Sequence, residues 1–172
     1  QSDGSLSGLA TGLKNLDAQM GGLQPTDLII IAGRPGMGKT SLATNIAFNV
    51  ANAYDATQQV DGSARPVTGG IVAFFSLEMS SEQLATRVIS EQTEIASSDI
   101  RRGGIDETAF GKLLDCRQKM RRLPLFIDQT GALSIAQLAA RARRLKRQRG
   151  VNLIIVDYIQ LMQGKSQRAA QN

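Results

Sequence analysis

The sequence predicts an α/β fold, a mainly parallel β-sheet flanked by helices. Three observations carry that expectation. Four short runs, at 28–32, 71–76, 125–128 and 153–156, are apolar almost throughout rather than alternating, which marks strands buried on both faces. Stretches with apolar residues three or four apart lie between them, and strands alternating with helices build a parallel sheet covered on both sides. A Gly-rich turn over 33–40 joins the first run to the first long helical stretch.

Taken in order, residues 1–12 are rich in Gly, Ser and Thr and read as a linker or disordered lead-in. Leu13, Leu16 and Met20 define a short amphipathic helix over 13–20, ended by Gly21-Gly22. Leu28-Ile29-Ile30-Ile31-Ala32 is a β-branched run stopped by Gly33 and reads as a buried strand. Ser41 to Ala53 has apolar residues at 42, 43, 46, 47, 50 and 51 and reads as a helix. Residues 54–70, with Asp55, Asp61, Gly62, Pro66, Gly69 and Gly70, read as a long surface loop.

Ile71 to Ser76 is the second strand. A helix over Ser81 to Ser90 opens with a capping pattern, Ser80 or Ser81 with Glu82 and Gln83 just inside. A third helix spans Asp106 to Arg121, and Leu125-Phe126-Ile127-Asp128 is a short strand. Ser134 to Arg149 is a strong helix, apolar at 135, 138, 139, 142 and 145, and Leu153-Ile154-Ile155-Val156 is the fourth strand. The expected organisation is a lead-in over 1–12, one core over 13–163, and an interrupted loop or tail over 164–172. The start at Gln1, with no Met and no charged, apolar leader, predicts no signal peptide and suggests a piece of a longer chain.

Composition removes several chemistries. The 172 residues hold no His and one Cys, Cys116. A His general base, a Ser-His-Asp triad, a Cys-rich zinc site and an internal disulfide are therefore excluded, and a single thiol fits a reducing, cytoplasmic setting. The net charge of +5 permits an anionic partner without demanding one. The longest apolar runs fall far short of the roughly 20 residues that span a bilayer, so no membrane is expected.

Gly33-Arg34-Pro35-Gly36-Met37-Gly38-Lys39-Thr40 matches G-x-x-x-x-G-K-[ST] in full. It follows a predicted strand and opens a predicted helix, as phosphate binding requires. Glycines let the backbone wrap a phosphate with its N–H groups inward, and the helix N-terminus adds about half a positive charge. Lys39 would reach the β- and γ-phosphates, the Thr40 hydroxyl would ligate Mg²⁺, and Ser41 would donate to the α-phosphate.

Asp157 ends the fourth strand, where an acid beside a phosphate loop holds Mg²⁺; on its own it reads more readily as a turn cap, and the phosphate loop turns the reading toward the metal. Glu78 lies just past the second strand, at the sheet edge that faces a ligand crevice. It would orient or deprotonate an attacking water, or simply favour a helix start. Asp128 also ends a strand and is read as a loop cap.

Three stretches together resemble the RecA-type motor domain of the DnaB family of replicative helicases. They are Thr11 through Asp17 with Gly21 to Thr40; Phe75-Ser76-Leu77-Glu78-Met79-Ser80 with Glu82-Gln83-Leu84; and Ile154-Ile155-Val156-Asp157-Tyr158-Ile159-Gln160-Leu161-Met162. The likeness covers nearly the whole chain and implies a P-loop NTPase of RecA type, present as a partial domain.

That family forms hexameric rings, hydrolyses nucleoside triphosphates between subunits and unwinds duplex DNA at the replication fork. The resemblance thus implies ATP or another nucleoside triphosphate with Mg²⁺ as cofactors. It assigns phosphate and metal binding to Lys39 and Thr40, water activation to Glu78, the Walker B metal-holding acid to Asp157, and a place near the nucleotide base to Arg87. It implies a homohexamer, single-stranded DNA bound by loops beyond residue 172, and a primase and helicase loader as partners. The family's arginine finger also lies beyond residue 172, so this piece is expected to bind nucleotide and turn it over poorly. The loop over 54–70 is longer than the family usually carries.

Six cations, Arg141, Arg143, Arg144, Lys146, Arg147 and Arg149, crowd the last helix. Leu138, Ala139, Ala142 and Leu145 form its buried stripe, and no aromatics interleave to stack bases, so a solvated face is expected. Two other classes stay open: a different RecA-like ATPase (a recombinase paralogue or clock-type kinase), and a non-catalytic nucleotide switch.

Overall fold

The computed structural model describes residues 6–55 and 68–158. Six helices and three strands follow in order: α1 (Lys14–Met20), α2 (Lys39–Asn52), β1 (Val72–Ser76), α3 (Ser81–Thr93), α4 (Ser97–Arg102), α5 (Glu107–Arg122), β2 (Leu125–Asp128), α6 (Ile135–Arg149) and β3 (Leu153–Asp157). The strands form one parallel sheet in the order β2-β1-β3. Val72 pairs with Leu125 on one side and Leu153 on the other.

From β1 to β2 the chain moves one way along the sheet, and from β2 to β3 it returns past β1. With crossovers of one hand, opposite directions place the connecting helices on opposite faces. The core divides accordingly. Val72 and Phe74 of β1 pack with Ile46, Ala47 and Val50 of α2 and Leu84 of α3. Ala73 and Phe75 face the other way, onto Ala142, Leu138 and Leu145 of α6. All five residues of β1 are buried, which is why that run is apolar without alternation.

Helix ends follow the local chemistry. Ser80 and Gln83 form the capping box of α3, and Ser134 and Gln137 that of α6. Asp106 caps α5 through the Ala109 N–H. Helix α4 was not legible in the sequence; it joins α3 and α5 in a small cluster where Ile100 packs near Ile89, Leu113 and Cys116.

Two expectations change. Leu28–Ala32 is not a strand. Leu28 is 83% and Ile30 70% exposed. The sheet of the described residues ends at β3, and a β-branched run becomes a strand only where a neighbour supplies ladder hydrogen bonds. The lead-in also acquires structure before residue 12. Leu9 bridges Leu23, and Thr11 is fully buried. The reason is Asp17, whose carboxylate accepts from the Thr11 N–H at 2.9 Å, the Thr11 hydroxyl at 2.7 Å and the Gly12 N–H at 3.2 Å. Asn49 of α2 then donates to the Thr11 carbonyl, which ties α1 to α2. The central part of the loop over 54–70, the tail over 164–172 and the stretch from Ile159 to Met162 lie outside the described residues.

Candidate functional site

The turn over 33–40 is an exposed loop that ends where α2 begins. Gly36 and Gly38 hold φ of 77° and 85°, a region that other residues enter only with strain. Gly38 is the N-cap of α2, and its carbonyl accepts from the Leu42 N–H at 2.9 Å. The helix starts at Lys39, two residues earlier than its apolar pattern predicts, because those first positions face the loop rather than the core. The free N–H groups of its first turn therefore point out beside Lys39 and Thr40.

Beneath the loop, the Thr40 hydroxyl donates to Asp157 Oδ2 at 2.9 Å. Asp157 is buried, with 6% exposure, at the C-terminal end of β3, and a cis peptide bond follows it. Lys39 Nζ lies 5.4 Å from the centre of the Tyr158 ring. Next to Asp157 in the ladder is Ser76, and the Asp157 carbonyl accepts from the Leu77 N–H at 2.9 Å. The loop carrying Glu78 thus leaves β1 directly beside Asp157. The Ser76 hydroxyl donates to the Met79 carbonyl and folds this loop back, and Glu78 is exposed at its crest.

Arg87, on α3, donates from Nη1 to the Ser41 hydroxyl at 3.2 Å. The structure thus joins Lys39, Thr40, Ser41, Arg87 and Asp157 in one contiguous group, with Glu78 on the neighbouring loop. Arg34, Pro35 and Met37 are exposed along the turn, with Met37 at 73%. Sequence reasoning missed Thr44 and Glu91, whose side chains meet behind this group. Their signal was spacing: Thr44 is four residues after Thr40, and Glu91 four after Arg87, so each pair shares a helix face. Burial pushes the Glu91 carboxyl above its usual range, against hydrogen bonds from Thr44 and Ser41 and the charge of Arg87.

A hydroxyl and a buried carboxylate at the mouth of a helix suit a small hard cation that keeps most of its waters, which is the ligand set of Mg²⁺ rather than of a softer metal. Among the described residues no three His, Cys, Asp or Glu side chains converge on a metal site, so any cation here would take its remaining ligands from water and phosphate.

Asp128 does more than cap a loop. It accepts from the Thr130 N–H and from Arg141 Nη1, the latter at 2.7 Å. Burial acts to raise its carboxyl, but the hydrogen bonds from Thr130 and Arg141 and the guanidinium charge outweigh it and hold it below the usual range. Arg141 is thereby committed, while Arg143, Arg144, Lys146, Arg147 and Arg149 of α6 remain exposed. A cavity of about 370 Å³ opens between α6 and β2, and another of about 420 Å³ between α3 and α5. Neither is lined by the loop over 33–40.

A Gly-rich loop that opens a helix, with an acid from the end of a parallel-sheet strand hydrogen-bonded to its Thr, defines an α/β protein of the P-loop NTPase class. Within that class the chain belongs to the DnaB-like helicase C-terminal domain family, whose model matches residues 8–172. It is 43% identical over 159 residues to the replicative DNA helicase DnaB of Rickettsia typhi, covering 92% of this chain and 31% of that protein. A solved structure described as an ATPase domain superposes with TM-score 0.80 at 25% identity, covering 98% of this chain and 56% of that one. A solved DnaB-like replicative helicase, described with its interactions with primase, gives TM-score 0.81 at 24% identity over 98% of this chain and 38% of that one. The chain spans about a third of the length of curated relatives such as those of Rickettsia typhi and Bacillus subtilis. No helix among the described residues is long and apolar enough to cross a membrane.

Proposed function

We propose that this chain is the nucleotide-binding part of a replicative helicase motor. It binds ATP, or another nucleoside triphosphate, with Mg²⁺, and in the whole protein hydrolyses it to drive DNA unwinding. The observation that carries the reading is the Thr40–Asp157 hydrogen bond at 2.9 Å, which gathers a hydroxyl and a carboxylate where the Gly-rich loop runs into the N-terminus of α2.

On this reading the loop N–H groups and the N-terminus of α2 hold the phosphates. Lys39 leaves Tyr158 and places its charge on the β- and γ-phosphate oxygens. Thr40 and Asp157 hold Mg²⁺, which neutralises phosphate charge when bound. Glu78 orients a water for in-line attack on the γ-phosphate, and its exposure leaves room for that water. Arg87 reaches the nucleotide from α3. In the whole protein the site is completed in a homohexamer in the cytoplasm. Single-stranded DNA, a primase and a helicase loader are its partners; the solved relative described with primase supports the primase.

The test is titration of this chain with a fluorescent ATP analogue in the presence of Mg²⁺. Saturable binding is expected, weakened about 10- to 100-fold in Lys39→Ala by loss of a charged hydrogen bond. Equal binding by the two proteins defeats the reading. Strand displacement by the full-length protein separates a helicase from another RecA-like ATPase. Turnover in the full-length protein separates either from a nucleotide switch.

A further inference from the structure

The helix that carries the phosphate loop is gripped from behind by a second pair of side chains. Arg87 and Glu91 lie four residues apart on α3 and project from one face. Both reach the first turns of α2. Arg87 donates to Ser41, and three residues further along α2 the Thr44 hydroxyl lies 3.0 Å from Glu91 Oε2 and 3.3 Å from Oε1. The same hydroxyl is 3.0 Å from the Thr40 and Ser41 carbonyls.

A hydroxyl has one proton, so Thr44 donates to one acceptor at a time. The helix carbonyls already accept backbone N–H groups, and a carboxylate makes the stronger bond. Thr44 is buried, with 1% exposure, and Glu91 is half-buried, so the contact is partly shielded from water. A carboxylate is poor packing material between two helices because its charge must be desolvated. What it gains here is a fixed grip on the turn that starts with Lys39 and Thr40. Since α3 begins just past Glu78, the same contact sets the loop of Glu78 and the turn of Lys39 relative to each other.

We propose that Glu91 is a positioning residue for the nucleotide site: by accepting from Thr44 it holds the first turn of α2, and with it Lys39 and Thr40, in register with α3. This rests on the reading of residues 33–40 as a phosphate site.

The experiment compares Mg-ATP dissociation constants and melting temperatures for the wild-type chain and for Thr44→Val, Glu91→Ala, Glu91→Gln, Lys39→Ala and the double variant Thr44→Val with Glu91→Ala. Thr44→Val and Glu91→Ala are each expected to weaken binding about 3- to 10-fold. The double variant should be no weaker than the weaker single, because both remove one interaction. Glu91→Gln keeps an acceptor and should bind within about twofold of wild type. A purely structural role would lower the melting temperature and leave the dissociation constant, taken well below the transition, unchanged; that result overturns the proposal, as does full additivity of the two singles. If Glu91→Ala does not fold, an unchanged constant in Thr44→Val overturns it. Loss of binding in Lys39→Ala with none in Glu91→Ala or Thr44→Val defeats this proposal alone. Absence of binding by the wild type defeats the phosphate-site reading beneath it.

Discussion

The Thr40 hydroxyl and the Asp157 carboxylate meet at 2.9 Å across 117 residues of chain. Thr40 arrives on the first turn of α2 and Asp157 on the last residue of β3, where the parallel pairing of β3 with β1 sets it beside Ser76 and the loop of Glu78. On the proposed reading, this contact marks where Mg²⁺ would be held beside a bound triphosphate. Asp157→Asn keeps the size and an acceptor for Thr40 but removes the charge. Its affinity for ATP without Mg²⁺ should match wild type, while apparent affinity for Mg²⁺ in the ternary complex falls about 10- to 100-fold. Titrating Mg²⁺ at fixed nucleotide checks this; an unchanged Mg²⁺ dependence removes Asp157 from the metal site.

Glu78 stands on the loop that leaves β1 beside Asp157. In the full-length protein, Glu78→Gln should cut turnover by about 100-fold or more, the scale of general-base catalysis. ATP binding should remain, since on the proposed reading Glu78 would orient water rather than hold phosphate. Steady-state hydrolysis set against equilibrium binding reads the two separately, and parallel losses in both would mean that Glu78 shapes the pocket instead.

Asp17 is a buried carboxylate whose three bonds go to Thr11 and Gly12. Asp17→Ala leaves buried Thr11 donors without an acceptor, at a cost of about 2–4 kcal/mol. The urea midpoint should fall accordingly, with a smaller drop for Asp17→Asn. Equal stability of Asp17→Ala and wild type would show that the segment before α1 is not held by this network.

Asp128 is kept below the ordinary carboxylate range once Thr130 and Arg141 outweigh burial. Its folded value is lower than its unfolded one, so its contribution is present above the unfolded value, about 3.9, and is lost as pH falls through the folded value. The pair is partly exposed, with side-chain exposures of 35% and 25%, so its worth is about 1 kcal/mol or less and shrinks with salt. The melting-temperature difference between wild type and Arg141→Gln should be constant from pH 5 to 7 and shrink as pH falls below the unfolded value toward the lowered folded one. A difference that does not shrink on acidification would assign it to packing of the Arg141 stem.

Much of the site was legible because its chemistry is written in adjacent residues. The run from Gly33 to Thr40 carries its own backbone requirement in Gly36 and Gly38. Glu78 and Asp157 stand at the ends of apolar runs, so a reader who finds the strands finds the acids. Arg87 was placed by likeness to a family, and its bond to Ser41 could not be read from spacing. Thr44 and Glu91 gave only a four-residue rhythm, which on a surface helix signifies nothing until the facing helix is known.

By itself the sequence determined the local decisions: which runs are apolar enough to be β1, β2 and β3, where Ser80 and Ser134 start helices, and where the chain turns left-handed at Gly38. Each depends on the φ preferences, period or capping groups of a few neighbouring residues. Only the tertiary structure decided what pairs with what. It left Leu28–Ala32 out of the sheet despite its strong β-branched composition, drew Thr11 into the core around Asp17, bound Arg141 to Asp128, and brought Thr40 to Asp157. These outcomes turn on hydrogen bonds and charge pairs between distant segments, and a segment's own residues specify the donor or the acceptor but not the partner that reaches it.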